Sequence, residues 1–433
     1  MTFLLALPAF VKIAAVFLAI LLIYRFGVSL GASIIACSLV LSLWTGTGID
    51  GVRFLLVYCL RPDNYLLAIV IVLLLYFTES LRITGKMERT VAALRSLFSG
   101  NRFLLAGLPA LIGLLPMPGG ALFSAPFVEG TDSRKELTPH LKIAINYWFR
   151  HIWEYWWPLY PGVILAIKYS GLPVGSFFLA QIPFTLAALA GGYFFILRKV
   201  RNTSDKVAAQ KPDFRATLST VGPILLLVTV AVLGVPVCAW LGVPESLRSL
   251  FSMLAGIALA LMVVFRNSTD LIGKSFSLFK QKGTLSLLLL IVGVLAFSAV
   301  LKEPVDLSGS TLVSLMRDEF AHMGVPVIPL IILITFISGA VTGIAMGYVG
   351  ASFPLVFALI GPHHDFGTLA STTALAYGSG YVGMMLSPMH TCFTVTGEYF
   401  KASIFGAYRY IIGPIAVIAL CALMLGGIYR IAF

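Results

Sequence analysis

Apolar runs of bilayer length recur along this chain, and a fold built in water has no place for so many. They lie at roughly 3–24, 27–45, 63–80, 142–169, 174–197, 217–240, 245–265, 283–301, 366–398 and 408–431. Crossing the hydrocarbon core takes about 20 such residues. With 59% hydrophobic and 11% charged residues there is too little polar surface to cover a soluble domain. The expectation is an all-α membrane protein with about ten transmembrane helices, its partner being the lipid bilayer. A net charge of +12 would suggest nucleic acid in a soluble chain. Here the basic residues sit in short loops between apolar runs, as the positive-inside rule requires, so no nucleic-acid partner is expected. The first run lacks a charged leading region and a small-residue cleavage site, so it reads as a retained helix. Five scattered cysteines without a CxxC spacing imply neither a disulfide framework nor a metal cluster.

Two further apolar stretches, about 102–127 and 326–360, are broken by glycine and proline. In LLPMPGGALFSAP, Leu114 to Pro126, three prolines and a Gly-Gly pair exclude a continuous helix. Irregular backbone at membrane depth survives only when buried in protein or lining a wet cavity. The stretch therefore reads as a re-entrant hairpin, with a tip at Pro118-Gly119-Gly120 and a second half-helix from Ala121, a proline-kinked spanning helix being the alternative. The free N–H groups and positive dipole end of that half-helix would face a site.

Shifting residues 110–169 by 230 positions superposes the two halves of the chain with 11 identities in 60. About four or five would arise from composition alone. The matches fall on punctuation: Gly113 on Gly343, Gly120-Ala121 on Gly350-Ala351, Pro158 on Pro388. The chain thus divides into a first repeat, 1–197, a hydrophilic linker, 198–215, and a second repeat, 216–433. GYVGASFP, Gly347 to Pro354, is the expected second hairpin tip, at Gly350, Ala351 and Ser352. Each half carries an amphipathic stretch before its hairpin, Ile83, Met87, Val91 and Leu94 in one and Leu312, Met316, Phe320 and Met323 in the other. Five crossings plus a hairpin per half make the repeats inverted in topology. With the linker cytoplasmic, inner loops hold 21 Lys/Arg against 7 outside, which places both termini outside.

The helix after each hairpin is also expected to break. In LSPMHTCFTVTGEYF, Ser387 and Pro388 have the chemistry of an N-cap followed by a first-turn proline. In WWPLYPG, Trp156 to Gly162, two prolines serve the same purpose. Within 142–169, Arg150, His151 and Glu154 are ionisable groups at membrane depth and so candidates for function. Arg150 would hold an anionic substrate and His151 or Glu154 would exchange a proton; an Arg150–Glu154 pair at i, i+4 is the structural alternative. Trp148, Trp153, Trp156 and Trp157 fit an interfacial belt or a dimer surface. In the second repeat Ser387, His390 and Thr391 are substrate candidates and Thr394 an ion-coupling one, with interhelical hydrogen bonding as the bland reading. Gly119, Gly120, Ala121 and Ser124 complete the substrate set at the first tip. His151 with Glu154, or His363-His364-Asp365, completes no recognised metal site, so no metal or other cofactor is expected beyond a coupling H⁺ or Na⁺.

MPGGALFSAP, the WxxWWPxYPG helix and the late SPxHxCxxxTxEYF segment together resemble a prokaryotic family of integral membrane proteins catalogued as a domain of unknown function. The resemblance covers nearly the whole chain. That family is grouped with the ion transporter superfamily, alongside gluconate permeases and dicarboxylate/sodium symporters. It implies an inverted-repeat fold, opposed hairpins in a mobile domain, a dimerising scaffold and elevator-type alternating access. The Ser-Asn-Thr signatures of the sodium/dicarboxylate relatives are absent here. The function expected is secondary active transport of a small organic anion, a carboxylate or sugar acid, by a homodimer in the cell inner membrane. A channel, a receptor or an intramembrane enzyme are the alternatives.

Overall fold

The structure is a computed structural model that describes residues 7–85, 101–114, 120–132, 135–200, 214–266, 273, 282–305, 309–361 and 364–432. The described residues are almost entirely helical and contain no strand, only one isolated bridge between Pro304 and Thr311. In chain order the helices are α1 (Ala9–Arg25), α2 (Leu30–Trp44), α3 (Gly48–Cys59), α4 (Pro62–Ile83), α5 (Asn101–Gly113) and α6 (Gly120–Thr131). Then come α7 (Pro139–Arg150), α8 (Pro161–Ser170), α9 (Val174–Phe195), α10 (Phe214–Trp240), α11 (Glu245–Phe265) and α12 (Lys282–Lys302). The last are α13 (Leu312–His322), α14 (Val327–Thr342), α15 (Ala345–Ile360), α16 (Phe366–Leu386), α17 (Thr391–Tyr399) and α18 (Tyr408–Ala432). Six of them, α4, α9, α10, α11, α12 and α18, are long and apolar enough to cross a membrane.

Local chemistry sets the boundaries. α4 and α8 each open with proline at the first helical position behind an extended residue, Arg61 and Tyr160. α7 is capped by Thr138, which accepts from Leu141 N at 3.3 Å, and α16 by Asp365, which accepts from Thr368 N at 2.6 Å. α14 and α16 approach backbone to backbone, with Gly339 lying against Gly380 O, the small-residue packing common between membrane helices.

Two hairpins are present. α5 and α6 pack on each other and, among other neighbours, on α7. Residues 115–119, including Gly119, lie outside the described residues, as do Met87, Val91, Leu94 and His363. α14 and α15 form the second hairpin, but its turn is at Thr342-Gly343-Ile344, where Gly343 is left-handed at φ +62. Gly350, Ala351 and Ser352 are therefore not a tip. They sit inside α15, with Gly350 against Val294 of α12 and Ala351 against Phe17 and Leu21 of α1. The second amphipathic stretch becomes α13, whose Glu319 accepts from Ala9 N and Phe10 N at 2.7 and 2.8 Å and so caps α1.

The two broken helices exchange partners. α8, the second half of one, packs on α15 of the second hairpin; α17, the second half of the other, packs on α6 of the first.

Candidate functional site

The first break runs as turns from His151 to Tyr160, between the end of α7 and the start of α8. Its carbonyls need donors, since no bilayer can supply them. Tyr377 Oη donates to Glu154 O at 2.5 Å, Tyr381 Oη to His151 O at 3.2 Å and Thr185 Oγ1 to Ile152 O at 2.7 Å. The same segment returns donors to the end of α5: Trp153 Nε1 to Ala110 O at 2.8 Å, Trp157 Nε1 to Leu114 O at 2.9 Å and the Tyr160 hydroxyl to Gly113 O. These are the terminal carbonyls a half-helix leaves unpaired. Trp148 and Trp156 likewise donate to Ala188 O and to Thr185 Oγ1. All four tryptophans thus donate their indole N–H into the protein.

The second break, Ser387 to His390, is built by similar means. Ser387 does not start a helix; it caps the end of α16, donates to Ala340 O at 2.6 Å and accepts from Met389 N. α17 begins at Thr391 with His390 in the N-cap position. Gly343 lies against the backbone of Met389 and His390, so the hairpin turn and the helix break touch.

Between the breaks lies a buried polar cluster. Arg150 and His151 are 3% and 1% exposed, Glu154 and His390 8% and 4%. The Arg150 guanidinium lies against Gly120, the first residue of α6, and hydrogen-bonds Cys392. Glu154 Oε1 is 3.9 Å from His151 Nε2. Tyr147 is stacked on Phe393 at 4.3 Å and touches both imidazoles, its hydroxyl 3.1 Å from His390 Nδ1. His151 and His390 are themselves 4.6 Å apart between ring centroids. Asn146 Nδ2 donates to Ala121 O and to Thr396 Oγ1, both at 3.0 Å, joining the first hairpin to α17, while its buried Oδ1 has no protein partner.

The expected residues therefore divide. Gly120, Ala121, Arg150, His151, Glu154 and His390 are brought to one region. Ser124, Ser352 and Thr394 hydroxyls turn back onto their own helices, to Ala121 O, Tyr348 O and Thr391 O. Thr391 is exposed. Electrostatically the region pairs a buried guanidinium with the positive end of α6, two features of one sign that together suit an anion.

Comparison with known families matches residues 6–428 to the family described as protein of unknown function DUF401. The chain belongs to the DUF401 family. No curated protein matches. Among solved structures, the Alcanivorax borkumensis YdaH transporter, reported for its unusual topology, is similar with a TM-score of 0.55. The sequences are 15% identical over 88% of each chain, so the likeness is one of fold. This DUF401 protein is accordingly a multi-pass helical membrane protein with a transporter-like architecture.

Several residues that build the site in this DUF401 chain were not singled out by the sequence. Asn146 and Tyr147 lie outside the quoted motifs and Tyr160 and Cys392 inside them, and all four become functional candidates only through partners far away in sequence. Asn146 alone gave a signal, an amide inside a span-length run, which in a membrane costs free energy unless it is paired.

Proposed function

We propose that the protein is a secondary active transporter of a small organic anion, a carboxylate or sugar acid, driven by protons or sodium. The observation that supports this most is the meeting of the Arg150 guanidinium with the N-terminus of α6, beside the unpaired Oδ1 of Asn146. An anion placed there neutralises the cation and takes up free N–H groups. Glu154 is the group assigned to proton exchange, since it is the carboxylate nearest His151 in the break. The partner exchange of α8 with α15 and α17 with α6 favours two inverted repeats that share one site and move as a body against a scaffold. That motion is elevator-type alternating access, as in the ion transporter superfamily. A homodimer in the inner membrane, with both termini outside, completes the reading.

The test is uptake of radiolabelled carboxylates and sugar acids into proteoliposomes under imposed proton or sodium gradients. Gradient-driven accumulation of one compound class is expected. Flux at channel rates that ignores both gradients would overturn the proposal.

A further inference from the structure

The break in α16–α17 delivers two donor atoms to His151 that its own stretch of sequence lacks. Nε2 or Nδ1 of His151 and His390, together with Cys392 Sγ, all lie within 4.8 Å of one another. Their hydrogen bonds fix which nitrogens face inward. His151 Nδ1 is 2.6 Å from Tyr147 O; a carbonyl only accepts, so Nδ1 carries the proton and Nε2 the lone pair. Tyr147 Oη lies 3.2 Å from Met385 O, to which it donates, and 3.1 Å from His390 Nδ1. In the His390 tautomer with its proton on Nδ1, Tyr147 accepts from it and Nε2 presents a lone pair. Both imidazoles are thus held by their outer N–H, the way metal-binding histidines are oriented. The Cys392 side chain hydrogen-bonds His151 and Arg150, which puts the sulfur at the same spot.

We propose that His151, His390 and Cys392 bind one borderline-soft transition-metal cation of the Zn²⁺ class. Two nitrogens and a sulfur select such an ion over calcium or magnesium. Tetrahedral bonds of about 2.0–2.3 Å set neighbouring ligand atoms about 3.3–3.8 Å apart. From a spread of up to 4.8 Å the cluster must contract by up to about 1–1.5 Å to close on the ion. Three protein ligands leave a fourth position open, beside Glu154. Because His151 lies in one break and the other two ligands in the second, the ion would tie the two broken helices together. This site stands independently of the organic-anion reading.

The test is a titration of the purified full-length protein, in detergent and after chelator treatment, with CoCl₂. One Co²⁺ per chain is expected, with a sulfur-to-cobalt charge-transfer band, tetrahedral d–d bands and displacement by Zn²⁺. Cys392→Ser should abolish the charge-transfer band, His390→Ala, which removes a direct ligand, should weaken binding by more than the roughly 10–100-fold lost with an outer-shell partner, and Cys421→Ser should change neither. Absence of stoichiometric binding in the wild-type protein, or a charge-transfer band that survives Cys392→Ser, overturns the proposal. The wild-type titration needs no variant to fold. It also needs no substrate or gradient, so its failure is distinct from failure of the transport reading.

Discussion

Replacing Gly120 by alanine places one methyl group where the Arg150 guanidinium sits. The added Cβ would be 2.6 Å from Arg150 Cζ and closer still to both terminal nitrogens. Ordinary carbon–carbon contact is about 3.5 Å, so the guanidinium must withdraw by about 0.9 Å. Arg150 is 3% exposed and cannot move out into water. Overpacking of this kind costs about 1–3 kcal/mol, whereas Gly→Ala within a helix returns about 1 kcal/mol, so net stability falls by roughly 0–2 kcal/mol. Function should suffer far more, because a misplacement of about 1 Å in a positioning group can cost on the order of 100-fold in rate. Gly130, on the same helix, is the control: a Cβ there meets nothing within 4 Å. Gly120→Ala is expected to lower initial uptake in proteoliposomes by roughly 10–100-fold, while Gly130→Ala leaves it unchanged. Thermal unfolding in detergent separates this from loss of fold. Equal uptake by the two variants at equal reconstitution would refute the placement of Arg150 over the start of α6.

Tyr160→Phe removes the hydroxyl that donates to buried Gly113 O, so unfolding in detergent should show a loss of about 1–3 kcal/mol; a neutral result would mean that another donor reaches that carbonyl. Gly343→Ala should cost more than Gly120→Ala, because its Cβ would meet backbone, His390 N at 2.9 Å and Met389 C at 3.0 Å, at a left-handed residue; the comparison is made by the same melts. Gly350→Val drives a side chain into Val294 and should lower stability by about 1–3 kcal/mol through α15 and α12; normal stability with abolished uptake would instead return Gly350 to the substrate site. Glu154→Gln should insert and fold but lose the acceleration of uptake by an imposed proton gradient, and an unchanged response would exclude Glu154 as the coupling group.

What the sequence made legible was whatever is encoded locally. Spans follow from composition. The first hairpin follows from proline and glycine, which leave no continuous helix across Leu114 to Pro126, although α6 already runs from Gly120 with Pro126 inside it. The second hairpin was legible in kind but not in register. Gly339, Gly343, Gly347 and Gly350 are all available to turn the chain, and nothing local ranks them. The structure turns at Gly343, where the backbone of Met389 and His390 lies against it. Ser387-Pro388 has the local signature of a helix start, yet Ser387 donates to Ala340 O on another element, and α17 waits until Thr391. In both cases a long-range hydrogen bond or contact overrode a sound local preference.

The cluster of His151, His390 and Cys392 was not legible for the same reason. A search for ligands near His151 finds Glu154, because Glu154 is its neighbour in sequence, whereas His390 and Cys392 reach it only after the second broken helix folds against the first. Breaks of this kind create their own need for such encounters. Each one exposes carbonyls and N–H groups that lipid cannot pair, and several of the donors that satisfy them here come from the opposite half: Tyr377 and Tyr381 for the first break, Tyr147 beside the second. The tyrosines that seal one break therefore also carry the polar residues of the other toward it. A site at the junction follows from the same accounting of backbone hydrogen bonds that makes the breaks tolerable at all.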